Sequence, residues 1–324
     1  MSAFLRARLS PAKQCPALVL VCLAAVLSLG SVPANADPAP RPVGTVVAWG
    51  DNSMGQVTVP AGLTGVVAVA AGDNYSVALK RDGMVIAWGA RGYEFEVAVP
   101  AGLSDVTAIA AGYGQSLALK RDGTVTGWGR AETVPIGLSG VVAIAAGRHF
   151  GMALKKDGTV VGWGGGYDAP PVGLSQVIAI AVGRNHTLAL KSDGTVVSWG
   201  SMTSVPEGLS GVTAIAAGHG SSLALKIDGT VVTWGSADTA PADLSHVVAI
   251  ALGGDFCLAL KSDGKVVKWG GASRGNEFGV TFGGQTNSDQ TNSTRTPMPP
   301  DLPPAFAIAA GRDHVLALVS PPAP

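Results

Sequence analysis

Cysteine, charge and aromatic residues are all scarce in this chain. It has three cysteines, and Cys15 and Cys22 fall in an N-terminal segment that reads as a leader, so only Cys257 is left for the mature chain. One cysteine excludes an intrachain disulfide, and the fold must rest on its own core. Charged residues make up 14% of the chain, against a usual share of roughly 25%. Basic and acidic residues balance at 22 each, so there is no cationic surplus of the kind that neutralises phosphates. Nucleic acid is therefore excluded as the expected ligand. The apolar run at residues 17–29 is 13 residues long, short of the roughly 20 that a membrane-spanning helix needs. Disordered chains are charged and poor in apolar residues, whereas 47% of these residues are hydrophobic, and the 45 glycines punctuate short apolar segments. This is the composition of a folded, mostly β chain rather than of a helical bundle.

The first 36 residues carry Arg6, Arg8 and Lys13, no acidic residue, the run at 17–29, and Ala34-Asn35-Ala36 before Asp37. That order of a basic, an apolar and a small-residue region is a secretory signal peptide. The expectation is a secreted or periplasmic protein with no membrane insertion after cleavage, a short linker at 37–43, and 19 basic against 22 acidic residues in the mature chain. Cys257 lies in the apolar segment FCLAL and reads as a small buried residue.

All seven tryptophans, Trp49, Trp88, Trp128, Trp163, Trp199, Trp234 and Trp269, occur in Trp-Gly pairs spaced by 39, 40, 35, 36, 35 and 35 residues. A fixed period of this size marks a repeat architecture. Each unit holds an apolar run such as VTAIAAG, a second run such as LALKRDG, and a third such as TVVSWG. These are three short strands. The six Asp-Gly pairs, beginning at Asp82, Asp122, Asp157, Asp193, Asp228 and Asp263, join the second strand to the third. They predict a two-residue hairpin turn with positive φ at both positions. Turn chemistry accounts for all six aspartates, so no metal site is expected from them.

Strands that are apolar on both faces suit small sheets stacked around an axis, which is a β-propeller. The chain enters at GTVVAWG, a third strand without a second, and ends at HVLALV, a second strand without a third. Together the two ends make one unit. The prediction is an all-β, seven-bladed propeller at 44–319, closed by pairing the N-terminal and C-terminal strands in one blade, with a tail at 320–324. Closure leaves no free sheet edge, and a monomer is expected. The last unit is about 20 residues longer than the others, and residues 271–304, polar and rich in Gly and Pro, read as a long loop from one face.

The frame AIAAG and LALKxDGTVxxWG, with WGDNSMGQVTVPAGL in the first unit, resembles the regulator of chromosome condensation repeat family along essentially the whole of 44–319. The resemblance implies a propeller used as a binding platform. Short repeats and an export signal make the chain more similar to the secreted bacterial branch, in which a propeller inhibits a β-lactamase, than to the nuclear nucleotide-exchange factor. It therefore implies an exported, non-enzymatic protein-binding propeller, in its sharpest form an inhibitor of a secreted or periplasmic enzyme.

What repeats seven times is scaffold, so the tryptophans are read as blade packing and function is sought where the copies differ. The two positions after each apolar-run glycine read Asp73-Asn74, Tyr113-Gly114, Arg148-His149, Arg184-Asn185, His219-Gly220, Gly254-Asp255 and Arg312-Asp313. If these links line one mouth of the ring, they form a polar collar with three arginines, a candidate partner-binding face. The segments after Trp-Gly supply a second candidate face: Asp51, Asn52, Tyr93, Glu94, Phe95, Tyr167, Asp168 and Met202.

Catalytic and cofactor signals are few. No pair among His149, His186, His219, His246 and His314 has the HExxH spacing, and no GxSxG elbow occurs. His186 and His314 share a frame position and read as strand packing. Ser221 or Ser222 near His219 and Asp255 stays open as a dispersed triad. No cofactor is expected. Two alternatives to a protein-binding platform stand beside it. One is a propeller that binds or cleaves polysaccharide, with Arg148, His149, Arg184 and His219 as charge stabilisers and proton carriers. The other is a structural surface module without a dedicated partner.

Overall fold

The computed structural model describes residues 41–130, 133–165, 169–201, 204–271 and 298–321. Residues 1–40, with the expected leader at 1–36, and Tyr167, Asp168, Met202 and most of the expected loop segment 271–304 lie outside the described residues. Strand β1 (Thr45–Gly50) comes first. Six hairpin-connected sheets follow: β2 (Val66–Ala71), β3 (Tyr75–Lys80) and β4 (Val85–Gly89); β5 (Val106–Ala111), β6 (Gln115–Lys120) and β7 (Val125–Gly129); β8 (Val141–Ala146), β9 (Phe150–Lys155) and β10 (Val160–Gly164); β11 (Val177–Val182), β12 (His186–Lys191) and β13 (Val196–Gly200); β14 (Val212–Ala217), β15 (Ser221–Lys226) and β16 (Val231–Gly235); β17 (Val247–Leu252), β18 (Phe256–Lys261) and β19 (Val266–Gly270). These are blades one to six. Blade seven consists of β20 (Ala305–Ala310), β21 (His314–Val319) and β1, which pairs antiparallel with β21 from Thr45 opposite Val319 to Gly50 opposite His314. The ring of seven three-stranded blades and its closure are thus as the repeats predict.

The core lies in layers between successive blades. Met152 and Leu154 of blade three pack with Ile180, Ala189 and Trp199 of blade four, and Leu258 and Leu260 of blade six pack with Ile308, Ala317 and Trp49 of blade seven. Large residues on one blade meet alanines on the next, because Leu and Ala alternate along each middle strand and so point to opposite faces. Every tryptophan is buried, and each joins the layer between its own blade and the one before it.

The hairpin turns differ from the sequence expectation. Gly83 and its equivalents have positive φ, but the aspartates before them do not. Gly83 N–H donates to Lys80 carbonyl at 3.0 Å and Lys80 N–H to Met84 carbonyl at 2.9 Å, which is a type I turn followed by a glycine bulge. The aspartate sits inside the turn and braces it: Asp193 Oδ1 accepts from Thr195 N–H at 3.0 Å and from Thr195 Oγ1 at 2.6 Å. The Thr195 hydroxyl, then its amide, hold the Asp193 carboxyl down at about 2. Nearby lysines pair with these aspartates, as Lys80 does with Asp82 at 3.0 Å and Lys191 with Asp193 at 3.3 Å.

Candidate functional site

The opposite end of the ring carries the variable residues. Each inner strand reaches the axis there, ends at a glycine, and turns back through the two collar positions into the middle strand. The main chains run so close that a Cβ on Gly112 would strike Gly147 carbonyl, and one on Gly183 would strike Gly218 carbonyl. Collar amides bridge neighbouring blades, including Asp73 N–H to Gly112 carbonyl at 3.3 Å, Tyr113 N–H to Gly147 carbonyl at 3.2 Å and Arg184 N–H to Gly218 carbonyl at 3.0 Å. The collar is therefore a fixed belt rather than a set of independent loops.

Within the belt, Asp73, Tyr113, Arg148, Arg184, His219, Gly254 and Arg312 line a pit of about 90 Å³ on the axis. Small-molecule sites usually hold roughly 300–1,000 Å³, so the pit has room for a side chain and not for a sugar chain. The second collar residues, Asn74, His149, Asn185, Asp255 and Asp313, are not among the residues that line it.

Charge is unevenly spread around the mouth. The buried Asp73 carboxylate faces His219 Nε2 at 3.7 Å across the ring and Arg312 Nη1 at 3.8 Å from the adjacent blade. Arg312 Nε also meets Asp313 at 3.4 Å. On the other arc, the Arg148 guanidinium lies 5.2 Å from the Tyr113 ring centroid, and Tyr113 meets His149 edge-on at 6.2 Å. Arg148 Nε is buried without a hydrogen-bond partner, and among the described residues no carboxylate pairs with Arg148 or Arg184.

The second candidate face turns out to be the outer rim of the same face. In a three-stranded antiparallel blade the third strand ends where the second begins, so the segment after Trp-Gly starts beside the collar. Ala90 N–H donates to Asn74 carbonyl at 2.9 Å, Arg130 N–H to Gly114 carbonyl at 2.7 Å, and Asp51 N–H to Asp313 carbonyl at 2.8 Å. Tyr93 and Phe95 are exposed on this rim and stand 6.4 Å apart, with Glu94 between them in a short 3-10 turn. The Arg130 guanidinium lies 5.5 Å and 5.6 Å from their ring centroids and is fixed by Glu96 at 2.9 Å. Sequence reasoning passes over Arg130 and Glu96. The available signal was that Arg130, directly after Trp128-Gly129, occupies a position filled by Ala90, Gly165, Ser201 and Ser236 in other units.

Asp51 and Asn52 are committed to their own loop. Asp51 accepts from Ser53 Oγ at 2.8 Å and Gln56 Nε2 at 2.8 Å, while Asn52 Oδ1 accepts from Val57 N–H at 3.1 Å. Burial raises the Asp51 pKa, and the hydrogen bonds from Ser53 and Gln56 outweigh it, for a net lowering. This loop anchors blade one, since Gln56 carbonyl accepts from Ser76 Oγ at 2.8 Å and Trp88 Nε1 at 3.0 Å.

The dispersed triad does not assemble. Ser222 Oγ meets His186 Nε2 at 2.9 Å inside the blade interface, Ser221 Oγ meets Ser236 Oγ at 3.0 Å, and His219 faces Asp73. His314 Nε2 likewise meets Ser76 Oγ at 3.1 Å, and the Tyr75 hydroxyl donates to Gln115 carbonyl and accepts from Ser116. The third position after the glycine therefore stitches one blade to the next. Among the described residues, no group of three or more His, Cys, Asp or Glu side chains converges as a metal site would require.

A closed ring of seven three-stranded blades around one recessed mouth defines a β-propeller. Residues 66–93, 141–168 and 177–204 match the model of the regulator of chromosome condensation (RCC1) repeat, so three of the units carry that repeat. No curated protein matches it. Among solved structures it is similar to Prp20p from Saccharomyces cerevisiae, with a TM-score of 0.65 and 18% identity over 87% of this chain and 92% of that one. Human WBSCR16 matches with a TM-score of 0.63 and 16% identity over 87% of this chain and 100% of that one. The CRINKLY WD40 ectodomain of the Arabidopsis thaliana receptor kinase ACR4 matches with a TM-score of 0.58 and 21% identity over 75% and 88%. At these identities the likeness is one of fold.

Proposed function

We propose that this chain is an exported, non-enzymatic β-propeller that binds another protein through the face carrying the collar, with inhibition of a secreted or periplasmic enzyme such as a β-lactamase as its sharpest form. The observation that carries this reading is the continuity of the outer cluster of Tyr93, Phe95 and Arg130 with Tyr113, Arg148 and Arg184 at the mouth. Tyr and Arg are the residue types in which interface energy concentrates, and Glu96 fixes Arg130 while the Tyr113 ring stacks on Arg148 before any partner arrives. Two solved structures add support by analogy: Prp20p is described by its binding to Gsp1p and histones, and yeast RCC1 is seen bound to Kap60. The leader-like residues 1–36 support export. The small pit, and hydroxyls already engaged in blade packing, favour binding over chemistry on a polysaccharide.

The test is affinity capture from the extracellular and envelope fractions of the producing organism, repeated with an Arg148→Ala, Arg184→Ala, Arg312→Ala variant, with each captured protein then purified and titrated alone. Binary binding weakened at least about tenfold by the substitutions is expected. Retention or cleavage of glycan without a protein partner would move the polysaccharide reading to the front, and capture of nothing would leave a structural surface module.

A further inference from the structure

The two arcs of the mouth differ in what a ligand would find. On one arc Asp73 already faces His219 and Arg312, and Arg312 also meets Asp313, so the arginine there is already engaged by carboxylates. On the other, Arg148 and Arg184 stand on adjacent blades, both at the pit wall, without a carboxylate partner among the described residues. Arg148 is also held in orientation by the Tyr113 ring at 5.2 Å, and its Nε is buried and unsatisfied.

We propose that the mouth is a carboxylate acceptor, in which Arg148 and Arg184 clamp one aspartate or glutamate side chain presented by a protein partner. This rests on the reading of the face as protein-binding and specifies what the partner must offer. The pit of about 90 Å³ limits the guest to a single side chain. Asp73 sets the direction: it repels a second carboxylate and pushes the guest toward the arginine arc. Guanidinium pairs favour planar carboxylates because two parallel N–H donors match its two oxygens, which a lysine cannot reproduce.

The probe is a fluorescent glutamate homopeptide of about ten residues, titrated against the full chain by anisotropy at low and at physiological salt, beside a glutamine homopeptide and a polygalacturonate of similar charge. The expected result is salt-sensitive binding of the glutamate peptide and none of the glutamine peptide. Arg184→Gln should weaken binding at least about tenfold, Arg184→Lys should restore only part of it, and Arg121→Gln, at the hairpin end of the ring, should leave it unchanged. Thermal melts of each variant separate loss of binding from loss of fold. Equal losses in Arg121→Gln and Arg184→Gln would reduce the effect to overall charge and overturn the proposal, as would tighter, Arg184-dependent binding of polygalacturonate. If the homopeptide fails while a captured partner still depends on the arginines, the carboxylate clamp falls and the binding face stands. If neither depends on them, both fall.

Discussion

At the scale of single residues, the ring uses two kinds of glycine. Gly173 has φ +82° with nothing within 4 Å of where a Cβ would sit, so it answers to backbone conformation alone. Gly183 has no such conformation, but its Cβ would meet both Gly218 carbonyl and the His186 ring. Gly173→Ala should therefore cost about 1 kcal/mol through strain, and Gly183→Ala about 1–3 kcal/mol or more, because a belt carbonyl cannot move without its neighbours. Chemical denaturation of the two variants checks the order, and a milder effect at Gly183 would contradict the belt. His314 offers a second test at this scale. Burial depresses its pKa from 6.5 to about 4 in the folded chain. The unfolded chain therefore takes the proton first as the pH falls. The associated stability is present in full above about pH 6.5 and is lost progressively down to about pH 4, roughly 3 kcal/mol in all. His314→Gln should flatten the stability profile across that window; an unchanged acid limb would show that His314 titrates normally.

At the scale of elements, β1 closes the ring. Its six residues cover β21, and Trp49 completes the layer between blades six and seven. Deleting residues 37–50 should lower the melting temperature of the whole ring, and Trp49→Ala alone should cost about 3–5 kcal/mol. A melting transition unchanged by the deletion would mean that the six hairpin-linked blades hold without closure. Blade count and closure are legible in the sequence because they follow from periodicity: seven Trp-Gly pairs, and two incomplete ends that add up to one unit. The turn type is not legible, because Asp-Gly fits both a two-residue turn and a type I turn with a bulge, and the choice lies in which carbonyl Gly83 N–H reaches. Nor does the pattern reveal that the collar and the post-tryptophan segments share a face, since that depends on strand direction within each blade. Some of the inter-blade stitching could have been found. Tyr75, His186 and His314 each precede a unit whose next frame position is serine, namely Ser116, Ser222 and Ser76.

At the scale of the molecule, every layer of the core belongs to two blades, so loosening one blade exposes its neighbours. That argues for opening as a single unit, even though repeat proteins with open ends can melt piecewise. Cys257 reports on this directly. It lies in the layer between blades five and six with Leu223, Ile250 and Trp269, it is 1% exposed, and burial, followed by the charge of Asp238, pushes its thiol up to about 12. A thiol so placed reacts only when its layer opens. Under native conditions, alkylation at Cys257, followed by peptide mass spectrometry, should be slower than that of an unfolded peptide by roughly the folding equilibrium constant, and should rise with denaturant along the same slope as global unfolding. A shallower slope would reveal local opening of blade six. The ring would then be cooperative only in part, and the mouth would be less rigid than its belt of main-chain hydrogen bonds implies.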